Sequence, residues 1–346
     1  MLRTIRLPAL LAALLAVFTL AACGGDDSSS TTTTGSAAAT AERSGDLTKV
    51  TMVQEWPVAD GFWIPWILGK QKGFYADEGI DLEIVAPPTV ADTMKYLGTG
   101  RADVAFTTIM DVVFAREQGA PVIAIGRYSS YNNWGLFTKE GEPITAADLK
   151  GKTIGIYSDA WTKAQLGMVL QSAGLTMSDV KTVSAADDTV PLLLRDKVDA
   201  ITGITNAEGT EIQTAGNQKG EFLAARDNGA PNSPVQIFAA NSEWLKQNPE
   251  LAKRFMAATQ KSIEYAIEHP EEGVDAYFDE YSKAYDRDFV TQQWADTSEL
   301  LKKDDQGSYF TMTDEMWGPL LEAVEANGIV KKVDPVSAYY TNDAVS

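Results

Sequence analysis

In 346 residues there is one cysteine, Cys23, and one histidine, His269. A single cysteine rules out a disulfide within the chain. Bases are scarce as well: 29 Lys and Arg stand against 48 Asp and Glu, a formal net charge of -19. Nucleic acid and anionic lipid headgroups demand clustered cations, so neither is an expected partner. Two catalytic signatures are missing, the Gly-x-Ser-x-Gly nucleophile elbow and the metal-binding His-Glu-x-x-His. Ser178-Asp179-Val180-Lys181 fits Ser-x-x-Lys but falls at a turn entering a strand, not on a helix. Gly98-Thr99-Gly100 precedes a strand, whereas a dinucleotide loop must follow one. No apolar run reaches the ~20 residues of a comfortable membrane span.

The longest apolar run, Leu7 to Ala22, follows Arg3 and Arg6 and closes on Leu20-Ala21-Ala22-Cys23. Positive residues, a short apolar stretch and a small-residue end read as a signal peptide over residues 1–22. Leu-Ala-Ala-Cys resembles a bacterial lipobox, which implies a diacylglyceryl thioether on Cys23. Residues 23–46 are Gly, Asp, Ser, Thr and Ala with almost no large apolar side chain. Such a segment cannot bury enough surface to offset its ordering entropy and is expected to be a flexible tether, about 25 Å in coil dimension. With Cys23 lipidated, neither Cys–His catalysis nor a His/Cys zinc site can be assembled. His269, before Pro270 near a helix end, is expected to cap or to sit on the surface.

From residue 49 to about 240, short apolar runs alternate with amphipathic stretches, the pattern of α/β units with largely parallel strands. Strands are expected at Val50–Gln54, Leu82–Val85, Asp103–Phe106, Val122–Arg127, Gly135–Thr138, Thr153–Ile156, Lys181–Val183, Ala200–Gly203 and Val235–Ala240. Beyond them helices take over, at Pro249–Ile267, Glu272–Lys283, Asp288–Leu301 and Thr313–Ala326. One pattern occurs twice: Arg101-Ala102-Asp103 and Lys197-Val198-Asp199 each lead into a buried strand. The echo predicts two lobes of one design, 47–139 plus 236–346 and 140–235, joined by two crossings that form a hinge. Thr145 and Gly151 bracket a short helical turn where the second lobe begins, and the Gly/Pro/Asn/Ser cluster Asn228 to Pro234 marks the return.

Lys72-Gly73-Phe74-Tyr75-Ala76-Asp77-Glu78-Gly79-Ile80-Asp81-Leu82-Glu83 resembles a signature of the solute-binding proteins of importers for nitrate, sulfonates, taurine and the pyrimidine precursor of thiamine. Gly98 to Ala105, Gly119-Ala120-Pro121-Val122 and Asp148 to Gly155 match the same family in order and spacing. The resemblance implies a two-lobe periplasmic-binding-protein fold of type II, with ligand held between lobes that close around it. It also implies the permease and ATPase subunits of an ABC transporter as partners, an extracytoplasmic location, and neither cofactor nor metal. Gly73 and Gly79 would bracket a tight turn, and Phe74 and Tyr75 would pack. Independently, open α/β sheets take ligands beyond the carboxyl ends of their strands.

Four loops leave such strand ends. The first carries Glu55, Trp56, Asp60, Phe62, Trp63 and Trp66; Trp66 and Phe62 suit a core, while Trp56 and Trp63 are candidates to stack on a planar ligand, at about 0.5–1.5 kcal/mol each. The second delivers Thr107 and Thr108 to a helix N-terminus, suited either to polar ligand atoms or to capping. The third brings Tyr157, Ser158, Asp159 and Trp161; Asp159 opposes a bound anion. In the fourth, Asn206-Ala207-Glu208 resembles the Asn-x-Glu of the thiamine-pyrimidine-precursor branch, which implies that Asn206 and Glu208 read the edge of an aminopyrimidine. Tyr131 and Asn132 complete the candidate ligand-binding set. Tyr339-Tyr340-Thr341-Asn342-Asp343 also resembles that branch, but Glu55-Trp56-Pro57-Val58-Ala59-Asp60 departs from its Asp-Trp-x-Pro-Asn opening and lacks the histidine that follows. An aromatic heterocycle is thus expected as solute, with a flavin, a sulfonate or nitrate as alternatives. An enzyme of pyrimidine-precursor synthesis is the reading of another class, and a lipoprotein that only docks another protein is a third.

Overall fold

The computed structural model describes residues 47–185 and 188–345. The expected signal peptide, Cys23 and the tether lie outside the described residues. Strands β1 (Thr48–Val53), β2 (Ile80–Val85), β3 (Val104–Thr108) and β4 (Val122–Arg127) come first, and β5 (Trp134–Thr138), β6 (Thr153–Tyr157), β7 (Lys181–Ala185), β8 (Ala200–Ile204) and β9 (Glu221–Ala224) follow. The chain then returns through β10 (Gln236–Asn241).

They build two five-stranded sheets, in the orders β2-β1-β3-β10-β4 and β7-β6-β8-β5-β9. The two orders are equivalent. In each sheet three strands run parallel, and a strand arriving from the other lobe inserts antiparallel between the third and the last: β10 between β3 and β4, β5 between β8 and β9. The sheets are therefore mixed, with four of the five strands in each running the same way.

The sequence echo has a structural counterpart. Asp103 accepts from the Thr51 amide at 2.8 Å, and Asp199 accepts from the Thr153 amide at 2.7 Å. In each lobe the carboxylate ties the strand it precedes to its parallel neighbour, where a turn would leave the amide unpaired.

Two expectations need correction. The boundary at 139/140 placed β5 in the first lobe, but β5 pairs with β8 and β9, so the first crossing falls at 128–133. The missed strand β9, Glu221-Phe222-Leu223-Ala224, is a four-residue sheet edge lacking the apolar run of a central strand.

Both crossings are stitched together. Ser129 Oγ accepts from the amides of Val235 and Gln236 at 2.8 and 3.1 Å. Asn132, 1 % exposed, donates from Nδ2 to the Pro231 carbonyl and accepts at Oδ1 from the Trp134 amide, while its own amide donates to Asn232 Oδ1. A third connection comes from helix Arg287–Leu300: Thr297 Oγ1 accepts from Asn206 Nδ2 at 2.9 Å, and Asp296 accepts from Thr210 Oγ1 at 2.6 Å.

The first sheet packs on an aromatic cluster. Trp66, fully buried, lies 5.1 Å from Phe106, which meets Tyr128 edge-on at 5.0 Å. Amphipathic helix Pro249–Glu268 closes this core by packing on helix Ile64–Gln71. The signature motif is scaffold: Gly73 and Gly79 adopt φ of 76° and 71°, Tyr75 is buried with its hydroxyl 3.1 Å from Thr259, and Phe74 packs on Tyr265. The closing Tyr339-Tyr340 pair stacks on Trp317. No helix among the described residues is long and apolar enough to cross a membrane.

Asn132→Ala should cost about 1–3 kcal/mol in urea-induced unfolding, because the buried Trp134 amide loses its acceptor. Unchanged stability would contradict the stitched hinge.

Candidate functional site

The carboxyl ends of the strands face a cavity of about 710 Å³. Loop one forms one wall and is held from behind by the C-terminal helices. Gln293 accepts from the Gly61 amide at 2.7 Å and donates to Asp60 at 3.2 Å, while Tyr277 donates to the Ala59 carbonyl at 2.7 Å. Asp60 also caps the short helix Gly61–Trp63 through the Phe62 amide at 3.0 Å. The space at Gly61 is filled: a Cβ there would lie 2.8 Å from Gln293 Oε1.

Aromatic side chains dominate the lining. Trp56, Phe62 and Trp63 come from loop one, Phe106 from β3, and Trp134, Tyr157 and Trp161 from the second lobe. Tyr285 and Phe289 add a pair stacked at 4.9 Å. Both lobes thus contribute rings to the lining.

The lining also carries five carboxyl groups: Glu55, Asp60, Asp159, Glu208 and Glu211. No Lys, Arg or His is among the described lining residues. Burial, then the proximity of Asp111, Asp159 and Asp60, holds the Glu55 carboxyl well above its usual range. Burial pushes Asp60 up to about 7, against the opposing hydrogen bonds from Phe62 and Gln293. Burial also raises Glu208 and, with Asp188 beside it, Glu211.

Of the residues expected at the site, Trp56, Trp63, Thr108, Asp159, Trp161 and Glu208 line the cavity. Trp63 is only 3 % exposed and meets Tyr281 edge-on, so it is as much core as wall. Asp159 caps helix Ala160–Ser172 through the Thr162 amide at 2.6 Å. Thr108 caps helix Ile109–Glu117 in a box with Asp111.

The structure takes four residues away from the ligand space. Thr107 is buried, and its hydroxyl is spent on Asp111 at 2.7 Å; successive strand residues face opposite ways, so Thr107 and Thr108 cannot share the cavity. Tyr131 lies outside, under the guanidinium of Arg226. Asn132 is the hinge staple described above. Asn206 is fully buried, accepting from Asn133 at 2.8 Å and donating to Thr297.

Glu208 sits in a kinked turn, Thr205–Gly209, where its two oxygens already accept from Tyr157 Oη at 2.9 Å and the Ile204 amide at 2.8 Å. It fits only because residue 203 is glycine: a Cβ there would fall 2.3 Å from Glu208 Oε2. Glu55, by contrast, receives no hydrogen bond at its carboxylate from the described residues. Next to it Gln54, 1 % exposed, lines the cavity with both amide atoms unpartnered, and Gln236 lines it with an unpartnered Oε1.

Sequence reasoning passed over Gln54, Gln236, Trp134, Tyr285, Phe289 and Gln293. The aromatic pair Tyr285 and Phe289, four apart where a helix begins, was a visible signal, but only the tertiary fold carries it to the cleft.

The NMT1/THI5-like family model matches residues 63–273. The chain belongs to this family. Among curated NMT1/THI5-like relatives, 4-amino-5-hydroxymethyl-2-methylpyrimidine phosphate synthases are similar. That of Candida albicans is 26 % identical over 240 residues (66 % of this chain, 70 % of the relative), and that of Legionella pneumophila 27 % over 233 residues (66 % and 72 %). Solved structures share the fold. The ligand-binding component of an ABC-type import system from Staphylococcus aureus aligns with a TM-score of 0.64 at 15 % identity, covering 86 % of this chain and 97 % of that one. The periplasmic aliphatic sulphonate-binding protein of Escherichia coli aligns with a TM-score of 0.64 at 16 % identity, covering 86 % and 92 %. The two-lobe periplasmic-binding-protein fold is thereby shown for this NMT1/THI5-like chain.

Holding Asp60 up to about 7 carries a signed consequence for stability. Between its ordinary pKa and 7 the unfolded chain is ionised while the folded site keeps its proton, so folding stability falls as pH rises through that window and stays reduced above it. Measured by denaturant unfolding, Asp60→Asn should gain on the order of 2–3 kcal/mol relative to wild type between about pH 5 and about pH 8. A pH-independent difference would contradict the buried carboxyl.

Proposed function

We propose that this chain is the extracytoplasmic, lipid-anchored solute-binding protein of an ABC importer, and that its solute is an aromatic nitrogen heterocycle, an aminopyrimidine of the thiamine pathway first. The observation that carries this reading is the cavity lined by aromatic rings from both lobes together with the unpartnered amide groups of Gln54 and Gln236 and the carboxyl of Glu55. A planar ring between Trp56 on one lobe and Trp161 on the other gains stacking on both faces, about 0.5–1.5 kcal/mol for each contact beyond plain burial. The Gln54 amide offers a donor and an acceptor side by side, which complements the ring nitrogen and amino group of a 4-aminopyrimidine edge. Glu55 stands next to it as an acceptor. Glu208, whose oxygens are engaged within the turn, supports Tyr157 and shapes the wall.

The curated relatives favour the pyrimidine over other planar solutes, since their names state a pyrimidine product. Transfer of their synthase activity to this chain has little support in the lining, which offers neither histidine nor cysteine. His269 is elsewhere, stacked on Tyr265 at 4.2 Å at the end of helix Pro249–Glu268. Sulfonate and nitrate, being anions, would here face five carboxyls. Lipid attachment through Cys23 rests on the Leu-Ala-Ala-Cys motif and on the composition of residues 23–46.

A thermal-shift screen against pyrimidines, flavins, taurine and alkanesulfonates is the test. Aminopyrimidines should raise the melting temperature in proportion to occupancy, by the linkage of ligand to the folded state. Stabilisation by sulfonates with none from pyrimidines would refute the heterocycle.

A further inference from the structure

We infer that the cleft selects its ligand as a cation, anchored on Glu55, and turns away anionic and phosphorylated forms of the same ring. This rests on the reading of the cleft as a ligand-capturing site, and adds the charge of what it captures.

Three independent features of the cavity converge. The first is the one-sided charge of the lining, five carboxyls and no base among its described residues. Buried carboxyls in ordinary protein structure are paired with bases or fully hydrogen-bonded. Asp60 and Glu208 follow the second course through Phe62 and Gln293, and through Tyr157 and Ile204, while Asp159 is exposed and caps a helix through Thr162. Glu55 follows neither, and the charges nearest it, Asp60, Asp111 and Asp159, are all negative.

Aromatic faces are the second feature. Cations are attracted to the negative face of a ring, by about 2 kcal/mol or more when water is excluded. Trp56, Trp161, Tyr285 and Phe289 line the same cavity as Glu55.

Gln54 is the third. It is a buried amide with neither atom satisfied, facing the same cavity, and it points to a ligand with hydrogen-bonding groups in reach of the Glu55 side. A protonated aminopyrimidine presents two parallel N–H donors, from ring nitrogen and amino group. That pair matches the two oxygens of one carboxylate, as guanidinium does. A phosphate at the same place would meet only like charge. The chain's formal charge of -19 assists by attracting cations at long range.

A cation next to Glu55 and Asp60 also favours their ionised forms, which burial opposes in the free protein. Capture of a permanent cation should therefore release protons, and its affinity should rise with pH across the range in which Asp60 titrates. Around Asp60 the other groups are Tyr128, Tyr277 and Tyr285 and the Gln293 amide, none of which supplies a positive charge.

Calorimetry on the full chain with four probes tests this. They are an N-methylated 4-aminopyrimidinium, its neutral 4-aminopyrimidine parent at a pH where the ring is unprotonated, a phosphomethyl 4-aminopyrimidine, and benzyltrimethylammonium. We expect the pyrimidinium to bind at least about tenfold tighter than the neutral parent, a gap of about 1.4 kcal/mol, and the phosphate not to bind. Heats in two buffers of different ionisation enthalpy should show proton release. Glu55→Gln, which keeps the size of the side chain but cannot ionise, should lose at least about tenfold in pyrimidinium affinity together with the proton release. Equal binding of the neutral or phosphorylated ring would overturn cation selection while leaving a heterocycle binder in place. Binding of benzyltrimethylammonium with no pyrimidine bound would support cation selection and remove the heterocycle instead. Failure of both cations, or an affinity unmoved by Glu55→Gln, would overturn the inference.

Discussion

Five carboxyl groups share one aromatic cavity, and no basic side chain among the described residues lines it. Desolvation makes that arrangement unfavourable in the free protein, and the raised proton affinities of Glu55, Asp60, Glu208 and Glu211 are its direct expression. Hydrogen bonds offset part of the cost. The Phe62 amide and the Gln293 side chain serve Asp60, and Tyr157 and the Ile204 amide serve Glu208. Glu55 and Gln54 are left open. A site that keeps unsatisfied polar groups among aromatic faces gives up stability for recognition, and the missing partner is one the ligand can bring.

The rest of the molecule holds that cavity at the meeting of two similar sheets. An antiparallel strand enters each sheet directly after a crossing, β5 in the second and β10 in the first, so the first sheet is complete only when the chain has crossed twice. Ser129 and Asn132 bind the two crossings to each other, which concentrates any relative motion of the lobes in a short segment. Helix Arg287–Leu300 plays a double part. Through Gln293 it fixes loop one, and through Thr297 and Asp296 it holds the turn that carries Glu208.

Much of the scaffold was legible in the chain because it depends on local chemistry. Alternating apolar runs located nine of the ten strands, and the repeated basic-x-Asp pattern foretold two lobes because each aspartate has the same task, capping a strand amide next door. Trp66 was expected in the core and is there. The site was less legible. Of the residues on loops at strand ends, Trp56, Asp159, Trp161 and Glu208 line the cavity. Sequence distance hid the rest: Tyr285, Phe289 and Gln293 reach the cleft from helices more than two hundred residues after loop one. Polar residues next to the cleft proved ambiguous for a different reason. Thr107, Asn132 and Asn206 have the chemistry of ligand contacts but satisfy buried backbone and side-chain partners instead, and which partner wins is decided by packing. Glu55 and Gln54 stand out only once the hydrogen bonds of Asp60, Asp159 and Glu208 have been traced.

The most direct test of the cleft's chemistry is the identity of the molecule it retains from its native cell, released by denaturing the purified protein and identified by mass spectrometry. A nitrogen heterocycle carrying positive charge, with an aminopyrimidine foremost, is the result predicted by the aromatic walls and the open Glu55 carboxylate. A sulfonate, a phosphate ester or another anion would contradict it.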